Sequence, residues 1–292
     1  MRLLKVIIYL SGFFISVMLH AQTFNKIIVF GDSLSDNGNL YKLTQGRAPK
    51  APYFHGRYSN GLVWPEILAN NLITPSVPLE DYAIAGAQTH GIKPPGLIVQ
   101  VKKYLNTHQV DPNALYIIWS GSDNYINHPQ ANLVAIDQAI TNIAQAITLL
   151  TNHGAKLFLV FNLPDIGVTP LAKHWNKKYP HLSTAQHLTW LTETHNKKLT
   201  IELLQLNQNK NVKIISIDVY DLLKQAMRNP EKYGINNTTD RCYIGSFKGG
   251  GKVCAQPNKY LFWDWVHPTT QVHRLIAEST YQTLWKAKIY PN

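Results

Sequence analysis

Five short stretches of this chain are mostly rich in Val, Ile and Leu and hardly alternate with polar residues. They are KIIVF at 26–30, LEDYAIAG at 79–86, ALYIIWSG at 114–121, AKLFLVFNL at 155–163 and VKIISIDV at 212–219. A strand with one wet face alternates, whereas a strand buried on both faces reads as a near-continuous apolar run. Between these stretches lie helical patterns at Leu62–Leu72, Leu97–Thr107, Leu133–Asn152 and Thr184–Leu206. A last helix is predicted to start near Thr269 and run toward Trp285. Strand and helix in alternation predict an α/β fold with about five parallel strands and helices on both faces. Neither a repeat nor a linker-like run divides the 292 residues, so residues 22–292 read as one domain with a sizeable core. Sites in such sheets lie at the carboxyl ends of the strands. Three of those ends carry residues out of keeping with a core: Ser33, Gly86, and Gly121-Ser122-Asp123-Asn124.

The start of the chain changes the compartment. Arg2 and Lys5 precede an uncharged apolar run, Val6 to Leu19, and a small residue, Ala21, precedes QTF. That layout predicts a signal peptide over residues 1–21, cut after Ala21. An N-terminal membrane anchor is the alternative, for which 14 residues are short. No second stretch reads as a membrane span. The protein is therefore expected to be secreted, periplasmic or extracellular in a bacterium. In that setting the two cysteines, Cys242 and Cys254, are expected to close one disulfide, two free buried thiols being the alternative. The 11 residues between them are Gly-rich and carry Lys248 and Lys252, which predicts a mobile, protease-accessible loop.

Charge adds little. The formal net charge of +11 becomes +9 without Arg2 and Lys5, which leaves 26 basic and 17 acidic residues. A basic exported protein is drawn to anionic surfaces. Its cations are dispersed and lack a nucleic-acid motif, so no nucleic-acid partner is expected. Neither is a metal or cofactor: no His/Cys/Asp cluster has ligand spacing, and FKGGGK lacks the Ser/Thr and strand of a P-loop.

The chemistry rests on a serine and a distant histidine. Ser33 follows the first strand where the chain turns toward a helix, with backbone N–H groups free to meet negative charge. Taken alone it could equally be a helix N-cap, and the Gly-x-Ser-x-Gly elbow of α/β-hydrolases is missing. In FWDWVHPTT, Asp264 and His267 are three apart, and Pro268 lets a helix begin. His267 would take the Ser33 proton and Asp264 would orient the ring. His55, His90, His128 and His195 show no such partner pattern and read as surface or structural residues.

Taken together, these blocks resemble the GDSL, or SGNH, lipases and esterases. FGDSLSDNGN is similar to the first block, with Ser33 as nucleophile; YAIAGAQT to the second, with Gly86 lending an N–H to the oxyanion hole. DWVHPT is similar to the last block, with Asp264 and His267 completing a triad, and GRYSNGLVWPEILA, FNLPDIGVTP and THNKKL fit the segments between. The resemblance runs from about Lys26 to beyond Thr270. It implies a flavodoxin-like SGNH three-layer sandwich and an oxyanion hole built by Ser33, Gly86 and a third donor. That donor is usually the Asn of Gly-x-Asn-Asp, but here Asp123 and Asn124 have changed places. An ionised Asp123 cannot donate. Either Asn124 reaches in through a local shift, or Asp123 plays another part and the hole relies on Ser33 and Gly86.

The leader, the GRYSNG segment and the cysteine-bracketed loop resemble the bacterial lysophospholipase A and glycerophospholipid:cholesterol acyltransferase branch. That implies a lipid acyl-ester hydrolase acting at a membrane surface on phospholipid or lysophospholipid. A sterol is the implied acyl acceptor, and an activating protease is implied at residues 243–253. A carbohydrate or short-chain esterase is the alternative enzyme. An inert binding protein on the same scaffold is the alternative of another class, favoured only by the Asp123-Asn124 exchange.

Overall fold

The computed structural model describes residues 22–292, so the expected leader lies outside the described residues. Five parallel strands form the central sheet: β1 (Ile27–Gly31), β2 (Leu79–Asp81), β3 (Leu115–Trp119), β4 (Leu157–Phe161) and β5 (Lys213–Ile217). Their spatial order is β2-β1-β3-β4-β5, the flavodoxin-like order. Every residue of β1, β3 and β4 is buried, which is why these runs do not alternate. The register pairs Ile27 with Leu115 and Gly31 with Trp119, so the ends of β1 and β3 finish level with each other.

Helices α1 (Leu97–Thr107), α2 (Leu133–Asn152) and α3 (Thr184–Leu206) pack side by side as one outer layer. Helices α4 (Val219–Arg228) and α5 (Thr270–Lys286) join the segment Trp64–Leu72 in the other. By length and composition α2 could cross a bilayer, contrary to the expectation that no second stretch could. Its buried residues Ile136, Ile140, Ile143, Ile147 and Leu150 recur at helical spacing and join the core, as one face of a soluble helix does.

Three elements differ from expectation. The strand expected over 79–86 stops at Asp81, and the remainder is a loop drawn toward the end of β1. Helix α4 begins where a strand was expected to end, because Asp218 accepts the Asp221 N–H at 2.9 Å and caps a new helix. The segment between the cysteines, expected as a mobile, protease-accessible loop, folds as an antiparallel hairpin, Tyr243–Ser246 with Gly249–Val253. Its base is closed by the Cys242–Cys254 disulfide. Buried Tyr243 ties it together, its one O–H shared between the carbonyls of Gly250 (2.6 Å) and Ser246 (2.9 Å). At the far side of the molecule Gln22–Phe24 pairs in parallel with Ile289–Pro291.

Gly31 closes β1 under a steric constraint. A Cβ there would stand 2.3 Å from the Trp119 carbonyl oxygen of the neighbouring strand. The Gln100 side chain occupies the other side, accepting the Gly31 N–H at 2.9 Å and donating to its carbonyl at 2.8 Å. Gly31→Ala must push β1 off β3, and the expected cost is about 1–3 kcal/mol in urea unfolding. An unchanged midpoint and slope would show that the strands separate freely there.

Candidate functional site

The chain leaves β1 through a tight turn that presents Ser33. The Asp32 carbonyl accepts from the Ser35 and Asp36 N–H groups, and its Oδ1 accepts from Leu34 at 3.0 Å. The Asp36 carboxylate then gathers the N–H groups of Gly38 (2.8 Å), Asn39 and Leu40 (3.1 Å), and reaches across to that of Ala85 (2.8 Å). One carboxylate thereby fixes the loop after β2 against the loop after β1 and sets Gly86 beside Ser33. Gly86 has φ +80°, where a side chain would be strained. Among the described residues, neither the Ser33 nor the Gly86 N–H donates to a protein acceptor, so both are available to an incoming anion.

His267 meets Ser33 across 234 residues, its Nε2 lying 2.9 Å from Oγ. Its Nδ1 lies 2.9 and 2.8 Å from the two Asp264 oxygens. Asp264 also accepts the Val266 N–H (3.0 Å), the His267 N–H (2.8 Å) and the Tyr53 hydroxyl (2.6 Å). Burial pushes the Asp264 carboxyl up, but the His267 charge and these donors outweigh it and hold the group below its ordinary value. The turn is braced from the GRYSNG segment. Ser59 donates to the Pro268 carbonyl at 3.0 Å, Asn60 accepts the Thr270 N–H at 2.8 Å, and Thr270 donates to the Leu62 carbonyl at 2.9 Å. Ser33, Asp264 and His267 are thus brought together as expected. Tyr53 was not anticipated, since a lone tyrosine 211 residues from its partner leaves no local pattern.

The third-donor position resolves differently. Asn124 points away from the cavity: its Oδ1 accepts the Thr89 N–H at 2.9 Å and its Nδ2 donates to Thr89 Oγ1 at 3.1 Å. Asn142 donates to the same hydroxyl at 3.1 Å, which pins the arrangement. The expected reach of Asn124 into the oxyanion site is therefore not seen. Asp123 lines the cavity instead, with Ser33, Gly86 and His267. The turn beneath it relies on Gly121, whose φ is +134° and which packs against buried His195. His195 accepts or donates at 2.8 Å with Tyr125, and burial lowers its pKa to about 3, so it is a neutral packing residue.

The cavity is about 780 Å³ and largely apolar, its walls including Ile166, Val168, Leu223, Met227, Leu261, Val266 and Ile276. Volumes of this order suit small-molecule ligands. At its mouth sits Phe247, the tip of the disulfide hairpin. Its ring centroid lies 5.1 Å from that of Tyr58 and 6.3 Å from that of His267. The Lys50 N–H donates to its carbonyl at 2.9 Å, yet the side chain is 45% exposed.

Residues 27–280 match the family model described as GDSL-like Lipase/Acylhydrolase. A phosphatidylcholine-sterol acyltransferase of Aeromonas hydrophila is 28% identical, covering 87% of this chain and 88% of its own. A thermolabile hemolysin of Vibrio parahaemolyticus is 27% identical over 89% of this chain and 63% of its own. Among solved structures, a member of the lipolytic G-D-S-L family from Veillonella parvula superposes with a TM-score of 0.51 at 16% identity, over 89% of this chain and 98% of that one, a likeness of fold.

The Tyr53 hydroxyl is a hydrogen bond to a charged group, worth about 1.5–3 kcal/mol. Tyr53→Phe is expected to slow reaction of Ser33 with a fluorophosphonate at least about tenfold. An unchanged rate would show that Asp264 holds His267 without it.

Proposed function

The chain belongs to the GDSL-like lipase/acylhydrolase family, and from that premise we propose an exported serine hydrolase that cleaves acyl esters of lysophospholipids and phospholipids. The observation that carries this reading is the Ser33–His267–Asp264 chain of hydrogen bonds opening into a large apolar cavity. Short or sugar-borne acyl groups would leave most of that cavity empty. The Aeromonas relative, named for acyl transfer from phosphatidylcholine to sterol, supports the same substrate class.

In this reading Ser33 Oγ attacks the ester carbonyl carbon while His267 Nε2 takes its proton, and Asp264 stabilises the charged ring. The N–H groups of Ser33 and Gly86 donate to the oxygen that becomes negative. Collapse breaks the bond to the glycerol oxygen, which leaves with the proton from His267. Water then delivers a proton to His267 and attacks the acyl-enzyme, releasing fatty acid and restoring Ser33. A sterol hydroxyl taking the place of water would yield a sterol ester.

The disulfide hairpin serves as a partial cover in this scheme. Phe247 stands over Tyr58 and His267 at the tip beside Lys248, while exposed Ile244 and Val253 lie farther back along the two strands with Lys252. Apolar tips with nearby lysines suit docking on a phospholipid surface. A protease cut within residues 243–253 would free Phe247 while the disulfide keeps both ends attached.

The purified chain from Gln22 onward is expected to release fatty acid from lysophosphatidylcholine. Ser33→Ala should lower that release by at least about 10³-fold. Limited proteolysis between Cys242 and Cys254 should raise it. Release of acetate from short-chain or sugar esters, with none from the lysophospholipid, would sink the lipid reading. A cut hairpin with unchanged turnover would sink the cover.

A further inference from the structure

The oxyanion side of this site contains two carboxyl groups, Asp32 and Asp123, and among the described residues neither is in an ion pair. Asp123 bonds through its backbone, its carbonyl accepting from Gln88 Nε2 and from the Asn127 N–H. Its carboxyl oxygens have no protein partner among the described residues, although the side chain faces the cavity beside Ser33, Gly86 and His267. Behind it, at the end of β1, Asp32 is wholly buried, and its Oδ2 also lacks a partner. Asp32 accepts only the Leu34 N–H, on Oδ1, and the Asp123 charge adds to the burial that opposes its ionisation. An ionised Asp123 would also face the oxyanion of an ester in the act of cleavage, where charge repulsion opposes the reaction. Asn124, which could have supplied an amide, is held by Thr89 and Asn142.

We propose that Asp123 works as a neutral carboxylic acid whose O–H is the third donor to the substrate oxyanion, beside the N–H groups of Ser33 and Gly86. The inference rests on the serine-hydrolase reading of the same site. The proton stays on Asp123 throughout, since the group donates a hydrogen bond and transfers nothing. A carboxylic acid donates as an amide does, so the exchange of Asp for Asn preserves the donor but makes it titratable.

The groups facing Asp123 are Asp32 from β1, Tyr58 from the loop before the Trp64 segment, and His267. Burial raises the Asp123 titration to about 6 against the lowering influence of a charged His267. Burial and the Asp123 charge likewise push Asp32 upward. Asp123 and His267 can hold one proton between them in two ways. With the proton on His267 and Asp123 ionised, the base is blocked and the donor is lost. With the proton on Asp123, both are ready. Because the Asp123 titration is raised, the donor is lost as pH rises past about 6, while protonation of His267 stops the reaction on the acid side. Activity should therefore fall on the alkaline side, where a serine hydrolase with an amide donor keeps rising or levels off.

The test is the pH dependence of kcat/KM on lysophosphatidylcholine for the wild type, Asp123→Asn and Asp123→Ala, with melting curves to confirm folding. Fluorophosphonate labelling of Ser33 is followed in parallel. The wild type is expected to fall about a hundredfold over the two pH units beyond its alkaline midpoint. Asp123→Asn, which restores a fixed donor, should stay within about tenfold of the wild type at its optimum and lose the alkaline limb. Asp123→Ala should lose about 10²–10³-fold in kcat with little change in KM. If the wild type and Asp123→Asn share one alkaline profile, or Asp123→Ala keeps its kcat, the inference is overturned and the serine-hydrolase reading stands. If Ser33 neither labels nor matters to turnover, that reading fails and the inference falls with it.

Discussion

A buried carboxylate without a fixed cation must be surrounded by donors, and the arrangement around Asp264 is the constraint on which this molecule's site depends. Two backbone N–H groups, one phenol and one imidazole converge on its two oxygens. Each donor is supplied by a different device. The N–H groups come from a turn closed by Pro268 and the start of α5. The phenol comes from a loop between β1 and β2, and the same stretch of chain then fastens the turn through Ser59 and Asn60. If the carboxylate lost these partners it would be left charged in an apolar setting, which is among the costlier defects a fold can carry. The donors therefore hold His267 in place as a by-product of satisfying Asp264.

The other half of the site obeys the same rule with a different anion. Asp36 uses its carboxylate to draw together four backbone N–H groups, one of them in the loop after β2. Two loops at adjacent strand ends are thereby locked in register, and the N–H groups of Ser33 and Gly86 remain outside the network. A site that must receive negative charge is made by directing other N–H groups elsewhere and sparing two.

Much of this was legible in the residues. Strands buried on both faces announce themselves as unbroken apolar runs, and the bounds of four of the five lie within two residues of the expected ones. The order of Ser33, Gly86, Asp264 and His267 along the chain carried the site, because each sits in a block of distinctive composition. Contacts between single, unremarkable side chains far apart could not be read. Tyr53 with Asp264, Gln100 with the Gly31 backbone, and Asn124 with Thr89 join residues 211, 69 and 35 positions apart. The hairpin was misread for a different reason. Its composition is that of a loop, and its order comes from one buried tyrosine and the disulfide at its base. Asp123 and Asn124 could not be assigned from sequence because neighbouring residues on a short helix point in different directions, and only the partner of one reveals the aim of the other.

The distance along the chain between Ser33 and His267 bears on the order in which the protein becomes itself. Synthesis delivers His267 234 residues after Ser33, and Gln22–Phe24 finds its β partner only when Ile289–Pro291 has been made. A nascent or truncated chain owns a serine without a base and an edge without a neighbour. Such a fragment has no means of assembling the hydrogen-bonded chain at the sheet's end, however well its first strands pair. Competence thus waits until the blocks around His267 and Ile289 have followed the first strands into place.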